Sequence, residues 1–332
     1  MLSFVLKRLL LMFPTMLVIS VIVFAVIQLP PGDFLDTLAS QLASQGEGLS
    51  DSQIALLRER YGLEQPLLVQ YFKWVANIVG SLDFGQSFEW NKPVLDVVAP
   101  RLWVTMGIAL MALALTALVA IPIGIHVSLR QYSLSDNLAT FGAFIGLAVP
   151  NVLMTLVLMY ASFTLLGSSP GGLFSDEYRD APWSLARVGD LLAHLWIPVV
   201  VLASAGAAEI VRVMRATMLD ELSKPYVDTA RAKGLPEGRL TIKYPARVAI
   251  NPIVSKLGWM IPIIVSSEAV VSIVADIPTT GPLLLRALLA QDMYLAGAII
   301  LLLAFLTVVG TLISDILLAL IDPRIRHAME QA

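Results

Sequence analysis

The 332-residue chain contains no cysteine and only three histidines. Without cysteine it forms no disulfide and offers no thiolate as a nucleophile or metal ligand. The histidines, His126, His194 and His327, are far apart in sequence. Because imidazole metal sites need clustered ligands, we predict no metal site and no catalytic residue on this chain.

Charged residues are also scarce. Lys, Arg, Asp and Glu make up 14% of the chain, whereas apolar residues make up 57%. Soluble domains are usually about 25% charged and about 45–50% apolar. The formal net charge is -3, so the chain has no overall basic field and no nucleic-acid partner is expected. This balance favours a protein embedded in a lipid bilayer.

Six apolar segments are long enough to cross a bilayer, which takes about 20 residues of helix. They cover about 9–29, 103–127, 138–166, 195–214, 253–274 and 294–321. The first resembles a signal peptide, but its apolar run is longer than usual and no small-residue cleavage site directly follows. We interpret it as an uncleaved anchor. The sequence therefore predicts an all-α polytopic membrane protein with six transmembrane helices.

Basic and acidic residues lie in different connecting segments. Lys7 and Arg8 precede the first span, and eight basic residues lie from Arg212, at the end of span four, to Arg247 before span five. The segment between spans one and two instead carries nine acids against four basic residues between positions 33 and 96. Lys and Arg are enriched in cytoplasmic loops. We therefore predict that both termini and the loop at about 215–250 are cytoplasmic.

Four regions follow from this topology. They are an anchor helix at 1–30, an extracytoplasmic helical segment at 31–100, a core of five spans at 101–322, and a cytoplasmic tail at 323–332. In the second region, one helix is predicted from a cap at Ser50 to a stop at Gly62. A second begins at Pro66, with its apolar positions at helical spacing: Leu67, Tyr71, Trp74, Val75 and Ile78. This pair either caps the spans or docks an external partner, and both interpretations stay open.

The stretch PYVDTARAKGLPEGRL, residues 225–240, is polar in an otherwise apolar chain. Ser223 is expected to cap a short helix there, with Pro225 in its first turn. Gly234 should stop the helix, and Pro236 prevents its continuation. Small residues leave room for another surface, and Tyr226 and Val227 are expected to add an apolar edge. On these grounds alone, docking in a partner's groove and resting on lipid headgroups are equally good interpretations.

The longer stretch YVDTARAKGLPEGRLTIKYPARVAINPIV resembles the cytoplasmic loop of ABC-transporter permeases, specifically the B-type subunit of dipeptide and oligopeptide importers. In the wider superfamily this loop reads Glu-Ala-Ala, three residues, then Gly. Asp228, Thr229, Ala230 and Gly234 fill those places, with Asp and Thr as departures. FVLKRLLLMFPTMLVISVIVF, RYGLEQPLLVQYFKWV, GSLDFGQSF and the terminal DPRIR also resemble the family, in its order. After the fifth span, DIPTTGPLLLRAL departs from a common Pro-Gly pair.

The resemblance implies a type I ABC importer permease fold in a bacterial or archaeal plasma membrane. Its partners would be a second homologous permease subunit, two cytoplasmic ATPase subunits and an extracytoplasmic substrate-binding protein. The cargo would be peptides or, alternatively, oligosaccharides or another small solute. The chain has no G-x-x-x-x-G-K-[S/T] phosphate loop, so ATP and Mg are expected on the partner ATPases, with no cofactor on this chain.

The resemblance also implies two sets of functional residues. A coupling helix that docks on an ATPase would comprise Tyr226, Val227, Asp228, Thr229, Ala230, Arg231, Ala232, Lys233 and Gly234. The fifth span would line or gate the pathway through Glu268, Ser267, Ser272 and Pro262. For Glu268 an interhelical hydrogen bond is the alternative.

Three other charged residues near span ends have structural explanations. An ion pair or snorkelling accounts for Glu209 and Lys256, and a structural contact accounts for Asp315. A stand-alone secondary transporter is a more distant alternative, since the sequence shows no convincing internal repeat. A membrane enzyme is the weakest of the three classes, because it needs a constellation of reactive groups.

Overall fold

A computed structural model of the chain describes residues 2–28, 34, 35, 39, 53, 56, 65–167 and 171–321. The helices are α1 Leu2–Gln28, α2 Leu67–Ser81, α3 Val94–Leu129, α4 Leu134–Ala148, α5 Asn151–Leu166, α6 Leu185–Leu222, α7 Pro225–Ala232, α8 Glu237–Lys243, α9 Pro245–Val274, α10 Thr280–Leu289 and α11 Met293–Ile321. A two-stranded antiparallel ladder pairs β1 Gln86–Ser87 with β2 Lys92–Pro93. The predicted all-α membrane fold is confirmed.

Five helices are long and apolar enough to cross a membrane: α1, α3, α6, α9 with the preceding α8, and α11. The third predicted span is instead the pair α4 and α5, which are bent by 108° where Pro150 separates them. A proline lacks the backbone N–H and disfavours helical geometry in the residue before it, which ends α4. The helix α6 has 38 residues, well beyond the predicted span at 195–214.

The chain forms two compact units. The first comprises the described residues of 1–8, 105–277 and 307–332 and is built around α6. Against it, α9 runs antiparallel: the Thr217 hydroxyl donates to the Ala249 carbonyl at 3.4 Å, and Glu209 forms an ion pair with Lys256. The α3 helix runs parallel to α6, since Thr116 donates to the Ala203 carbonyl at 3.3 Å. Both α9 and α3 therefore pack along the length of α6.

Glycines allow close helix crossings in this unit. A Cβ atom on Gly124 of α3 would lie 2.8 Å from Cγ of Met214 on α6. A Cβ atom on Gly258 of α9 would overlap the side chain of Ser314 on α11. Small residues at such crossings let helix backbones approach in a bilayer, where apolar burial between helices gives little drive. These two positions therefore fix where α3 and α11 pack.

The contacts of α4 and its following loop decide whether the bent pair crosses the membrane. Asp136 at the start of α4 binds Arg215 near the end of α6, whereas Ser175 beyond α5 binds Asp190 near its start. Those two points on α6 are 25 residues apart, or about 37 Å at 1.5 Å per residue. This exceeds a hydrocarbon core of about 30 Å. The pair is therefore one broken span, as the six-span prediction requires.

The second unit comprises the described residues of 9–104 and 278–306. Its apolar core joins α2 to the ends of α3, α10 and α11. The predicted second helix of the extracytoplasmic segment is confirmed as α2, with Pro66 at its N-cap and Tyr71 and Trp74 buried. Leu67, another of the apolar positions at helical spacing, is exposed. Of the helix predicted between Ser50 and Gly62 the structure describes only residues 53 and 56, and the DPRIR ending and the tail lie outside the described residues.

One helix was missed by the sequence reasoning. The segment after the fifth span contains α10, whose Leu283 and Ala287 are buried in the core of the second unit. Before it, Asp276 ends α9 with a left-handed backbone, φ +53°. Asp tolerates this conformation better than most residues, although glycine favours it most.

Asp292 ties the β-ladder to the start of α11. Its buried carboxylate accepts hydrogen bonds from the Ser87 hydroxyl at 2.6 Å, the Glu89 amide at 3.2 Å and the Leu295 amide at 3.1 Å. The last of these is an N-cap bond to the first turn of α11. Burial is the main cause that raises the pKa of the Asp292 carboxyl above its ordinary value.

Replacing Asp292 by alanine should destabilise the protein by about 1–2 kcal/mol, because α11 loses its cap and Ser87 loses its acceptor. Asp292→Asn is the matched control, because its neutral side chain keeps an acceptor oxygen and caps helices well. Thermal unfolding in detergent measures both variants. Equal losses for alanine and asparagine would contradict the assigned role of the acceptor oxygen.

Candidate functional site: the helical hairpin between α6 and α9

The helices α7 and α8 form a short hairpin after the end of α6. Ser223 was expected to cap α7, and this is wrong. Ser223 has helical dihedral angles and ends α6, and its hydroxyl donates to the Asp220 carbonyl at 2.8 Å. Lys224, with extended backbone, is the N-cap of α7, and Pro225 occupies the first position. An N-cap residue needs non-helical backbone, which Ser223 lacks here.

The predicted stop at Gly234 is confirmed. Its φ of +79° lies in the left-handed region that favours glycine. The Gly234 amide donates to the Arg231 carbonyl at 3.0 Å, and the Leu235 amide donates to the Ala230 carbonyl at 3.4 Å. This pair of bonds is a Schellman motif, which satisfies the last carbonyls of α7. Pro236 then caps α8.

The hairpin has a small core of its own. Val227 and Ala230 of α7 bury their side chains against Leu240 of α8, and Leu235 and Tyr244 pack around them. Val227 is 0% exposed, so its predicted place on an exposed apolar edge is wrong. A spacing of three residues puts Val227 and Ala230 on the inner face of α7. These two residues hold the hairpin together.

Tyr226 remains partly accessible, with 39% of its surface exposed. Its hydroxyl donates to the Glu221 carboxylate near the end of α6. Partial burial, and then the hydrogen bond to Glu221, raise the pKa of Tyr226 to about 12. The phenol therefore stays protonated near neutral pH and can keep this bond to α6.

The outer face of α7 is exposed and mostly small or charged. It comprises Asp228, Thr229, Arg231, Ala232, Lys233 and the following Gly234. Arg231 binds both Asp228 at 2.9 Å and Glu237 of α8 at 2.6 Å. The hydrogen bond to Glu237 is the main cause that raises the pKa of Arg231 above its ordinary value. Arg231 thus orients α7 relative to α8 while its own surface stays open to a partner.

A depression of about 530 Å³ lies beside this face. It is lined by Gly234, Leu235, Pro236, Gly238, Arg239, Ile242 and Lys243. Ile242 is 71% exposed within a polar stretch, and Arg239 and Lys243 flank it with positive charge. The sequence reasoning missed this surface of α8. An isolated isoleucine among polar residues was the signal that marked it.

The residues predicted to line or gate a pathway lie on α9 at different depths. Glu268 and Ser272 are fully buried, and the Ser272 hydroxyl donates to the Glu268 carboxylate one turn earlier on the same helix. Ser267 and Pro262 are half-buried. Within the first unit, Glu268 and Ser272 are therefore enclosed, and only Ser267 and Pro262 reach the surface.

Two structural explanations for charged residues are confirmed. Lys256 forms the expected ion pair with Glu209, and Asp315 contacts Arg8 at 3.2 Å. Among the described residues, no group of three His, Asp or Glu side chains is placed to hold a metal ion.

Comparison with known proteins decides the family. A model of the family described as "Binding-protein-dependent transport system inner membrane component" matches residues 120–327, and a model of its N-terminal part matches residues 1–109. The chain belongs to this family. Permeases of the family are membrane subunits of ABC importers, and ATPase and binding-protein partners follow from that membership.

The permease is 34% identical over 329 residues to the oligopeptide transport system permease protein AppB of Bacillus subtilis, covering 98% of this chain and 99% of AppB. It is 31% identical over 328 residues to the glutathione transport system permease protein GsiC of Salmonella paratyphi A, and the match covers 98% of this chain and 100% of GsiC. A chain of the MetNI methionine ABC transporter, solved in inward-facing conformations, shares the fold with a TM-score of 0.54 and 13% identity. That match covers 69% of the permease and 97% of the other chain.

Proposed function

We propose that the permease forms half of a peptide translocation pathway and that a second, homologous membrane subunit forms the other half. Two cytoplasmic ATPases supply the energy, and an extracytoplasmic binding protein delivers the peptide. Near full-length similarity to AppB and GsiC, which are named for oligopeptide and glutathione transport, supports this cargo. The same machinery carrying oligosaccharides or another small solute is the alternative.

The hairpin of α7 and α8 faces the cytoplasm in this proposal. Arg8 and Asp315 meet beside the half of α9 that follows α8, because Ser314 of α11 lies against Gly258. The start of α1 and the last turns of α11 therefore lie toward the hairpin side of the first unit. The basic residues of this side, including those of the hairpin, make it the cytoplasmic one by the positive-inside rule. Both termini are then cytoplasmic.

The outer face of α7 docks in a groove of one ATPase, and Gly234 and the α8 depression extend the contact. The single observation that carries this role is a hairpin with its own core and an open, small-residue outer face. Exposed Ala232 and Gly234 allow close approach, and Arg231 and Lys233 can meet carboxylates of the partner. Hydrolysis occurs on the ATPase, since this chain lacks a phosphate loop, and the permease moves as the ATPase closes.

Cysteine cross-linking tests the docking directly, because the natural chain contains no cysteine. A cysteine at exposed Ala232 should cross-link to the ATPase through a short thiol-to-amine reagent in membranes that contain the whole complex. Ala230→Cys is the matched control, since Ala230 lies on the same helix but only 6% of it is exposed. Cross-linking of neither cysteine, together with quenching of an Ala232→Cys fluorophore by lipid-bound quenchers, would favour a helix resting on headgroups.

Cargo is tested with the reconstituted complex and its binding protein. Uptake of a labelled oligopeptide into vesicles should require ATP and should be inhibited by unlabelled peptide but not by an oligosaccharide. Inhibition by the oligosaccharide alone would instead support the alternative cargo.

A further inference from the structure

An ion pair between a buried carboxylate and a partly exposed guanidinium joins the start of α4 to α6 near its end. Asp136 is only 3% exposed, and both of its oxygens accept from the Arg215 guanidinium, each at 2.8 Å. The Tyr132 amide donates to the same carboxylate at 2.9 Å. A bidentate pair fixes the relative orientation of the two groups as well as their distance. The first turn of α4 is therefore held at a defined position on α6.

The helix α6 continues without a break past Arg215 to Leu222. Only Ser223 and Lys224 separate it from α7, and Ser223 keeps helical dihedral angles. A second bond, from the Tyr226 hydroxyl to Glu221, ties the first turn of α7 back to α6. The first turn of α7 is therefore held to the last turn of α6 both by the short connection and by this hydrogen bond.

On the other side of the ion pair, α4 is the first half of the broken span α4–α5. The helix α4 ends at Ala148, and the direction of the chain then changes by 108° before α5 begins. Near the end of α4, a Cβ atom on Gly146 would lie 3.0 Å from the Ser204 carbonyl of α6, so the two helices are also in close contact there. The ion pair at the start of α4 and the Gly146 contact near its end therefore both hold α4 against α6.

We propose that Asp136 and Arg215 are positioning residues that transmit movement of α7 to the broken span α4–α5. This rests on the proposed docking of α7, and adds the route by which that docking reaches the membrane core. The pair holds α4 to the part of α6 that moves with α7. Without it, α7 still binds the ATPase, but the broken span no longer follows.

The stability of the fold does not by itself require these two side chains to be charged. Replacing a buried ion pair by uncharged groups of similar size is often neutral for stability, whereas removal of one partner is costly. The useful variant is therefore the double replacement Asp136→Asn with Arg215→Gln, which leaves no uncompensated charge. Arg215→Lys is a second variant, because lysine keeps the charge but cannot form the bidentate bond.

Both variants are assayed in the whole reconstituted complex, with ATP hydrolysis and uptake measured on the same vesicles. We expect hydrolysis to persist while uptake per ATP falls about tenfold in the double variant, a loss within the usual range of coupling between sites. Arg215→Lys should show a smaller fall in the same direction. The control is Glu209→Gln with Lys256→Met, which removes the exposed ion pair between α6 and α9. Its uptake per ATP should match the natural protein.

An unchanged uptake per ATP in both Asp136–Arg215 variants would overturn the proposal, even if their thermal stability fell. If the double variant does not insert in the membrane, an unchanged uptake per ATP in Arg215→Lys alone would overturn the proposal. Ala232→Cys cross-linking separates this outcome from failure of the docking itself. Cross-linking through Ala232→Cys should stay normal in both variants if the pair acts downstream of α7, and its absence in the protein that carries Ala232→Cys alone would refute the docking.

Discussion

Valine in place of Gly234 is expected to lower ATP-driven uptake by roughly tenfold or more while the chain still inserts in the membrane. A Cβ atom at Gly234 would meet nothing within 4 Å, so the substitution causes no clash within the chain. The cost comes from φ +79°, which a β-branched residue adopts only with strain of about 1–3 kcal/mol. The Schellman turn should open to relieve this strain, which changes both the end of α7 and the depression beside it.

Gly234→Asn is the matched control, because asparagine tolerates left-handed backbone far better than valine. Uptake in vesicles should therefore fall by roughly tenfold or more for valine, a loss within the usual range of coupling between sites, and much less for asparagine. Membrane-inserted protein is quantified in the same vesicles. Near-normal uptake by the valine variant would count against a role of this turn in coupling. Equal loss in both variants would mean that added bulk, and not backbone strain, blocks docking.

Gly258→Val should unfold or misassemble the first unit, a loss of roughly 3 kcal/mol for overpacking a close helix contact. A Cβ atom at Gly258 would overlap the Ser314 side chain and come within 3.1 Å of its Cα atom. Because the obstacle includes backbone, α11 must move away from α9. We expect a large drop in monodisperse protein on gel filtration in detergent, together with a lower unfolding temperature.

Gly142→Val is the control for adding the same side chain to a membrane helix, since a Cβ atom at Gly142 meets nothing within 4 Å. A compensating pair provides a sharper test. Gly258→Ala alone should be destabilised, whereas Gly258→Ala with Ser314→Gly should recover most of the loss, because the new methyl group occupies the space that the serine vacates. If the double variant is no more stable than Gly258→Ala, the loss of stability does not arise at the crossing of α9 and α11.

Local chemistry made parts of this molecule predictable. The apolar spans and the helix after Pro66 follow from residue periodicity and length alone. The stop at Gly234 follows from the conformational freedom of glycine. In each case, residues within one or two turns supply the whole reason for the structure.

Features that depend on contacts between distant residues were not predictable in this way. Ser223 is a good N-cap residue, yet it has helical dihedral angles at the end of α6, where its hydroxyl donates to the Asp220 carbonyl. The inward orientation of Val227 depends on Leu240, which lies thirteen residues further along the chain. The partner of Asp136 lies 79 positions away, on α6. Sequence spacing gave no signal for that pairing.

The small core of the hairpin has an evolutionary consequence. Val227, Ala230 and Leu240 maintain its shape from within, while the side chains available to an ATPase lie outside that core. Outer positions can therefore diverge without loss of the hairpin. After duplication of an ancestral gene, two membrane subunits could acquire preferences for different ATPases through a few surface substitutions. Exchange of only the outer residues between paralogues should then transfer partner choice, whereas exchange of the inner ones should not.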